Sequence, residues 1–129
     1  TRTSEAIRAA TAQPPKTMRP PYGLTNRRNN DMIYGQKKMT VIQWSIDTID
    51  WQHPEPAKIV ERVMSKVKNG DVILCHDIHA NTINAMPALI DALKKEGFEL
   101  VTASTLVSLW NAHKSKSSSS PRRLRGMKA

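Results

Sequence analysis

From Ala57 to Lys68 the apolar residues Val60, Val63, Met64 and Val67 recur at i, i+3, i+4 and i+7, which lines one face of a helix that Asn69-Gly70 closes. A second set, Met86, Leu89, Ile90 and Leu93, predicts an amphipathic helix over residues 83–96, with Pro87 in its first turn and Gly97 at its end. Runs rich in β-branched and other apolar residues predict strands instead: MTVIQWSID (39–47), residues 71–75 and FELVTA (98–103). TMRP (17–20), after Pro15, reads as a shorter strand. Helices are expected at 4–12, capped by Thr3 or Ser4, and at 106–113 (LVSLWNAH), capped by Ser104 or Thr105. Residues 25–38 should be helical only in part, because Asn29, Asn30 and Gly35 are poor helix formers.

Strands alternating with helices, without an internal repeat, predict a parallel sheet covered by helices. In such sheets functional groups gather at the carboxyl ends of strands. RPPYG (19–23), DTIDW (47–51) and CHD (75–77) each end a predicted strand, so Arg19, Asp50, Trp51 and His76 are expected on one rim. Taken singly, His76 reads as a satisfied structural histidine and Asp50-Trp51 as a loop start. Three coincident motifs favour a site.

Composition narrows the class. The 129 residues suffice for one domain with a modest core, and 39% hydrophobic with 24% charged residues reads as a soluble globular chain. No apolar stretch approaches the roughly 18–20 residues of a membrane span, and no signal peptide is visible. The net charge of +9 is unevenly spread: residues 114–129 hold six Lys/Arg and no acid, against fourteen Lys/Arg and eleven Asp/Glu in residues 1–113. The division expected is therefore a folded part at 1–113 and a basic, Ser-rich, disordered tail at 114–129. An anionic polymer or surface would suit such a tail, but a solvated tail without a dedicated partner is the plainer reading, and no nucleic acid is expected. The single Cys75 excludes an intrachain disulfide, and no Cys/His spacing suggests a zinc finger. Strand alternation turns Cys75 away from Leu74 and His76, so it reads as a small buried hydrophobe.

RPPYG (19–23), WSIDTIDW (44–51), ILCHDIHANT (73–82) and MPALIDALKKEGFELVTASTL (86–106), in this order, resemble the polysaccharide deacetylases, carbohydrate esterase family 4, which includes chitin and peptidoglycan N-deacetylases. The resemblance covers roughly residues 4–110. It implies a distorted (β/α) barrel with parallel strands, of which this chain is the carboxyl-terminal half. It also implies a divalent metal, usually zinc, that activates water against the acetamide of an N-acetylated polysaccharide such as peptidoglycan or a chitin-like N-acetylglucosamine polymer. His76 would be the general acid for the departing amine, as suits an imidazole. Asp50 would bond the other ring nitrogen and fix its tautomer. Trp51 and Leu74 would wall the pocket for the acetyl methyl, Tyr22 would offer its backbone N–H to the oxyanion, and Arg19 would hold the catalytic-base aspartate.

That aspartate is absent, and so are the family's Thr-Phe-Asp-Asp-Gly and His-(Ser/Thr)-x-x-His motifs, which carry the base and all metal ligands. The resemblance thus implies a metal held by a missing amino-terminal half, no metal ligand in this chain, and no activity in the chain alone. An extracellular or cell-envelope location would follow only if the parent protein follows the family. Two other readings stand beside an incomplete deacetylase: a catalytically incomplete glycan-binding domain, and a basic protein acting through its tail. His53 and His79 are expected in loops at the rim, exposed, and Asp47 and Asp77 either as strand-end caps or bonded near Arg19.

Overall fold

The computed structural model describes residues 2–118. In chain order these form α1 (Arg2–Thr11), β1 (Thr17–Met18), α2 (Arg27–Lys37), β2 (Thr40–Val41), β3 (Ile46–Asp47), α3 (Pro56–Met64), β4 (Ile73–Leu74), α4 (Ala80–Lys95) and α5 (Ala103–Ser118), with 3-10 turns at Pro21–Gly23 and Asp50–Gln52. The α/β class and the parallel strands agree with the sequence pattern. The strands are short and fall into two sheets, β1 beside β2 and β3 beside β4, rather than one continuous wall.

The single strand expected over 39–47 is divided because the chain kinks at Ser45. Two successive N–H groups, of Ser45 and Ile46, both donate to the Val72 carbonyl at 3.0 and 3.1 Å, as at a β-bulge. The Ser45 hydroxyl accepts from Val72 N–H at 2.9 Å and donates to Asp71 at 2.7 Å, which fixes the start of the neighbouring strand. Pairing then runs Ile46 with Ile73 and Asp47 with Leu74, while β1 and β2 pair Thr17 with Thr40 and Met18 with Val41.

Ile46, Val63, Leu89 and Leu93 form the buried core, with Val60, Met64, Val67, Ile73, Met86 and Phe98 packed around it. Val60, Val63, Met64, Val67, Met86, Leu89 and Leu93 are periodic positions of the two predicted amphipathic helices, so α3 and α4 cover one face of the β3–β4 pair, whereas Ile90, expected on the same face, is exposed. Pro56 opens α3 at a position where its missing N–H is harmless. α4 starts at Ala80, earlier than expected, which leaves Pro87 inside the helix instead of in its first turn. The carbonyl deprived of a donor is that of Ile83, a residue on the exposed side. α2 is continuous because the Asn26 side chain caps it, accepting from Asn29 N–H at 2.9 Å.

Two expectations are corrected at the carboxyl end. FELVTA is not a strand: a cavity of about 370 Å³, lined on one side by Asp71, Val72 and Ile73 and on the other by Phe98, Leu100 and Val101, separates it from β4. A strand needs a partner about 4.8 Å away, and this segment has none among the described residues. α5 begins at Ala103 and continues past the expected boundary at 113 as far as Ser118. The rest of the expected tail lies outside the described residues. No helix among them is long and apolar enough to cross a membrane.

Candidate active site

Beyond its paired residues β3 turns sharply. Asp47 accepts the Ile49 N–H at 2.8 Å, and Ile49 takes a left-handed conformation (φ 54°) that carries Asp50 back over the end of the neighbouring strand. Asp47 is thus a strand-end cap, the first of its two expected roles. Next door, the chain runs two residues past β4 to His76. The parallel register brings the two overhangs together, and Asp50 meets His76.

The Asp50 carboxylate is fully buried and has three donors. Its Oδ1 lies 2.8 Å from His76 Nδ1, and its Oδ2 accepts from His76 N–H at 2.5 Å and from the Thr82 hydroxyl at 2.8 Å. Burial alone would raise its pKa. The bonds from the His76 ring, the His76 N–H and Thr82, with the attraction of His76, outweigh burial and hold it below the usual aspartate value. An ionised Asp50 places the Nδ1 proton on the facing side of the imidazole, which leaves Nε2 for a ligand. The His76 side chain is 34% exposed, so the pair is buried at one end and open at the other.

The open end faces a cavity of about 390 Å³ bounded by Arg19, Tyr22, Gly23, Trp44, Leu74 and His76 with two prolines. Four of the expected site residues therefore line one space, and Asp50 stands behind His76. Trp51 is not brought to it: it sits on the 3-10 turn after Asp50, 54% exposed, outside the lining. Trp44 supplies the aromatic surface there. Its ring lies under the Arg19 guanidinium, 5.9 Å from centroid to Cζ, and packs so closely on Gly23 that a Cβ there would stand 2.7 Å from Cη2. Gln43 Nε2 donates to the Gly23 carbonyl at 2.8 Å, tying the same loop down.

That loop is strained. Tyr22 is left-handed (φ 56°), a conformation costing a non-glycine residue about 1–3 kcal/mol. Its side chain is 93% exposed, and the residue lines the cavity. Among the described residues no carboxylate forms an ion pair with Arg19. His79 is half-buried rather than exposed, its ring edge-on to His53 with centroids 4.7 Å apart and 6.1 Å from His76. Burial, reinforced by Asp50 and Asp77 and opposed by Arg19, pushes the Cys75 thiol up and keeps it protonated near neutral pH, as befits the inert role read from the sequence. Among the described residues no three His, Cys, Asp or Glu side chains converge to hold a metal ion.

Thr82 and Trp44 were not identified as site residues by sequence reasoning. Thr82 reads as the start of a helix, and its bond to Asp50 spans 32 positions without a local pattern. Trp44 sits amid an apolar run that reads as core.

No family model matches the chain. It is 34% identical over 105 residues, 81% of its length, to the peptidoglycan-N-acetylglucosamine deacetylase PgdA of Listeria monocytogenes, and 36% identical over 104 residues to the peptidoglycan-N-acetylmuramic acid deacetylase PdaC of Bacillus subtilis. It spans 22% and 21% of those two proteins. The solved structure of PdaC superposes with a TM-score of 0.76 at 33% identity over 89% of this chain and 55% of that one. A family 4 carbohydrate esterase pseudoenzyme from Bacillus anthracis gives 0.74 at 34% identity, over 81% of this chain and 36% of its own. The homologues are thus peptidoglycan deacetylases and the structural neighbours family 4 carbohydrate esterases, and they cover most of this chain.

Proposed function

Starting from that homology to the polysaccharide deacetylases, we infer that the chain is the carboxyl-terminal, general-acid half of a polysaccharide N-deacetylase acting on an N-acetylated amino-sugar polymer of the peptidoglycan or chitin type. The observation that carries the reading is the Asp50–His76 pair, ionic behind and open in front, at the mouth of a cavity shared with Arg19, Tyr22 and Leu74. Once water has added to the acetamide carbon, the C–N bond of that adduct breaks, its electron pair goes to the departing nitrogen, and the Nε2 proton of the His76 imidazolium follows it, leaving acetate, the free amine and a neutral imidazole. Asp50 stays ionised and holds the imidazole in the orientation that presents Nε2. Leu74 offers the acetyl methyl an apolar contact, and the Tyr22 backbone N–H is the donor proposed for the oxyanion. Trp51 lies on the rim, where contact with the sugar chain suits it better than the acetyl pocket.

The divalent metal implied by the family has no ligand set among the described residues. On this reading its ligands, and the carboxylate that Arg19 would hold, belong to an amino-terminal half that completes a (β/α) barrel. The span of about half the PdaC structure supports that division.

The test is reconstitution. Co-refolded with an amino-terminal half bearing the two absent motifs, the chain is expected to release acetate from N-acetylglucosamine oligomers, and His76→Ala should lower turnover roughly a hundredfold or more. Acetate release unaffected by His76→Ala would remove the proposed role. Glycan binding without turnover would favour a second reading, a catalytically incomplete glycan-binding domain, which the likeness to a pseudoenzyme supports.

A further inference from the structure

Among the described residues Thr82 is the one buried hydroxyl bonded to the acid pair. It is 1% exposed, in the first turn of α4, and its Oγ donates at 2.8 Å to the Asp50 oxygen that does not face the imidazole. A hydroxyl placed there competes with no water and needs no other partner. Asp50 cannot rotate about its carboxylate axis without breaking that bond and the one from His76 N–H together. Oδ1 is thereby kept for Nδ1, and the ring plane is set by contacts that come from two separate places, the segment after β4 and α4. Deep burial makes the arrangement exacting, because a carboxylate that loses a donor there has no solvent to replace it.

We propose that Thr82 is a positioning residue for the general acid: its hydroxyl locks the Asp50 carboxylate so that His76 presents Nε2 to the cavity. The proposal rests on the deacetylase reading for its catalytic meaning, but the lock itself is independent of any reaction.

The test uses the whole 129-residue chain and nitrogen-detected magnetic resonance of the His76 ring. Thr82→Val keeps the branch and volume and deletes the donor. It should broaden the Nδ1–H signal, because the carboxylate that holds that proton is no longer fixed. Thr82→Ser should restore it. His79 faces His76 across 6.1 Å, Arg19 and Tyr22 line the same cavity, and Asp77 is the next residue, but all four are unchanged in these variants. Should Thr82→Val not fold, Thr82→Ala serves in its place, and in the unmutated chain the Thr82 hydroxyl proton should exchange slowly. A hydroxyl exchanging as fast as an exposed threonine, or a His76 ring indifferent to Thr82→Val, overturns the proposal and leaves the deacetylase reading standing. In the reconstituted enzyme Thr82→Val should lower kcat about tenfold with KM little changed, and Thr82→Ser should recover it. A His76 ring that responds as expected in an enzyme releasing no acetate would overturn the deacetylase reading and leave the lock in place.

Discussion

Asp50 grips His76 at two points, the ring Nδ1 at 2.8 Å and the backbone N–H at 2.5 Å, so the residue that orients the imidazole also fixes the chain that carries it. Asp50→Asn cannot reproduce this. An amide has a single acceptor oxygen, and its NH2 group would confront one of the two donors. The expected outcome is a mixed tautomer at His76, read from ring nitrogen shifts, and a fall in turnover of the reconstituted enzyme of about 10- to 100-fold.

Acid should weaken the fold through the same carboxylate. The folded-state pKa of Asp50 is depressed, so its contribution to stability is fully present above the unfolded value of about 3.9 and is lost as pH falls through the lower, folded value. Denaturant titrations at a series of pH values should show stability dropping below about pH 4. The drop should be shallower in Asp50→Asn, which has no proton to take up, and equal slopes in the two proteins would contradict the assignment.

Gly23→Ala is expected to destabilise by about 1–3 kcal/mol, from the positive φ of 68° and from the Trp44 ring that the new methyl would meet. Trp44→Phe deletes the ring atoms involved. In that background the cost of Gly23→Ala should shrink, and strict additivity of the two denaturation midpoints would show that the ring and the glycine are not coupled.

In the core, Leu89→Ala should cost about 2–5 kcal/mol, because Leu89 is 3% exposed between α3 and β3. Leu100→Ala, at a side chain 48% exposed, should stay within about 0.5 kcal/mol. Urea midpoints of the two variants would compare them directly.

The helices α3 and α4 and most of their buried faces were legible because packing there obeys a 3.6-residue period that one segment displays by itself, although Ile59 is buried without having been expected and Ile90 is exposed. Asp50 and His76 were legible for a related reason: parallel strands of known direction put their carboxyl ends on one rim. What could not be read depends on contacts between segments. The division of residues 39–47 turns on Ser45 bonding to Val72 and Asp71, and the loss of the last expected strand turns on the gap beside β4. Thr82 reaches Asp50 from another element, and Trp44 lines a cavity although its sequence context is that of a core strand. Alternation along one strand cannot tell which of two apolar faces will be left open.

The β3–β4 ladder is only two residues long, and the chemistry hangs on its alignment. Side chains along β4 and the extended residues after it alternate: Ile73 turns to the helices, while Leu74 and His76 turn to the cavity. A slip of one residue between the strands would exchange the faces, presenting the Cys75 thiol at the mouth and burying the imidazole under α3 and α4. A misaligned chain would keep its helices and much of its compactness while trading a proton donor for an inert sulfur. Correct folding of this segment is therefore better judged by the His76 ring, which bonds to Asp50 in only one alignment, than by helix content.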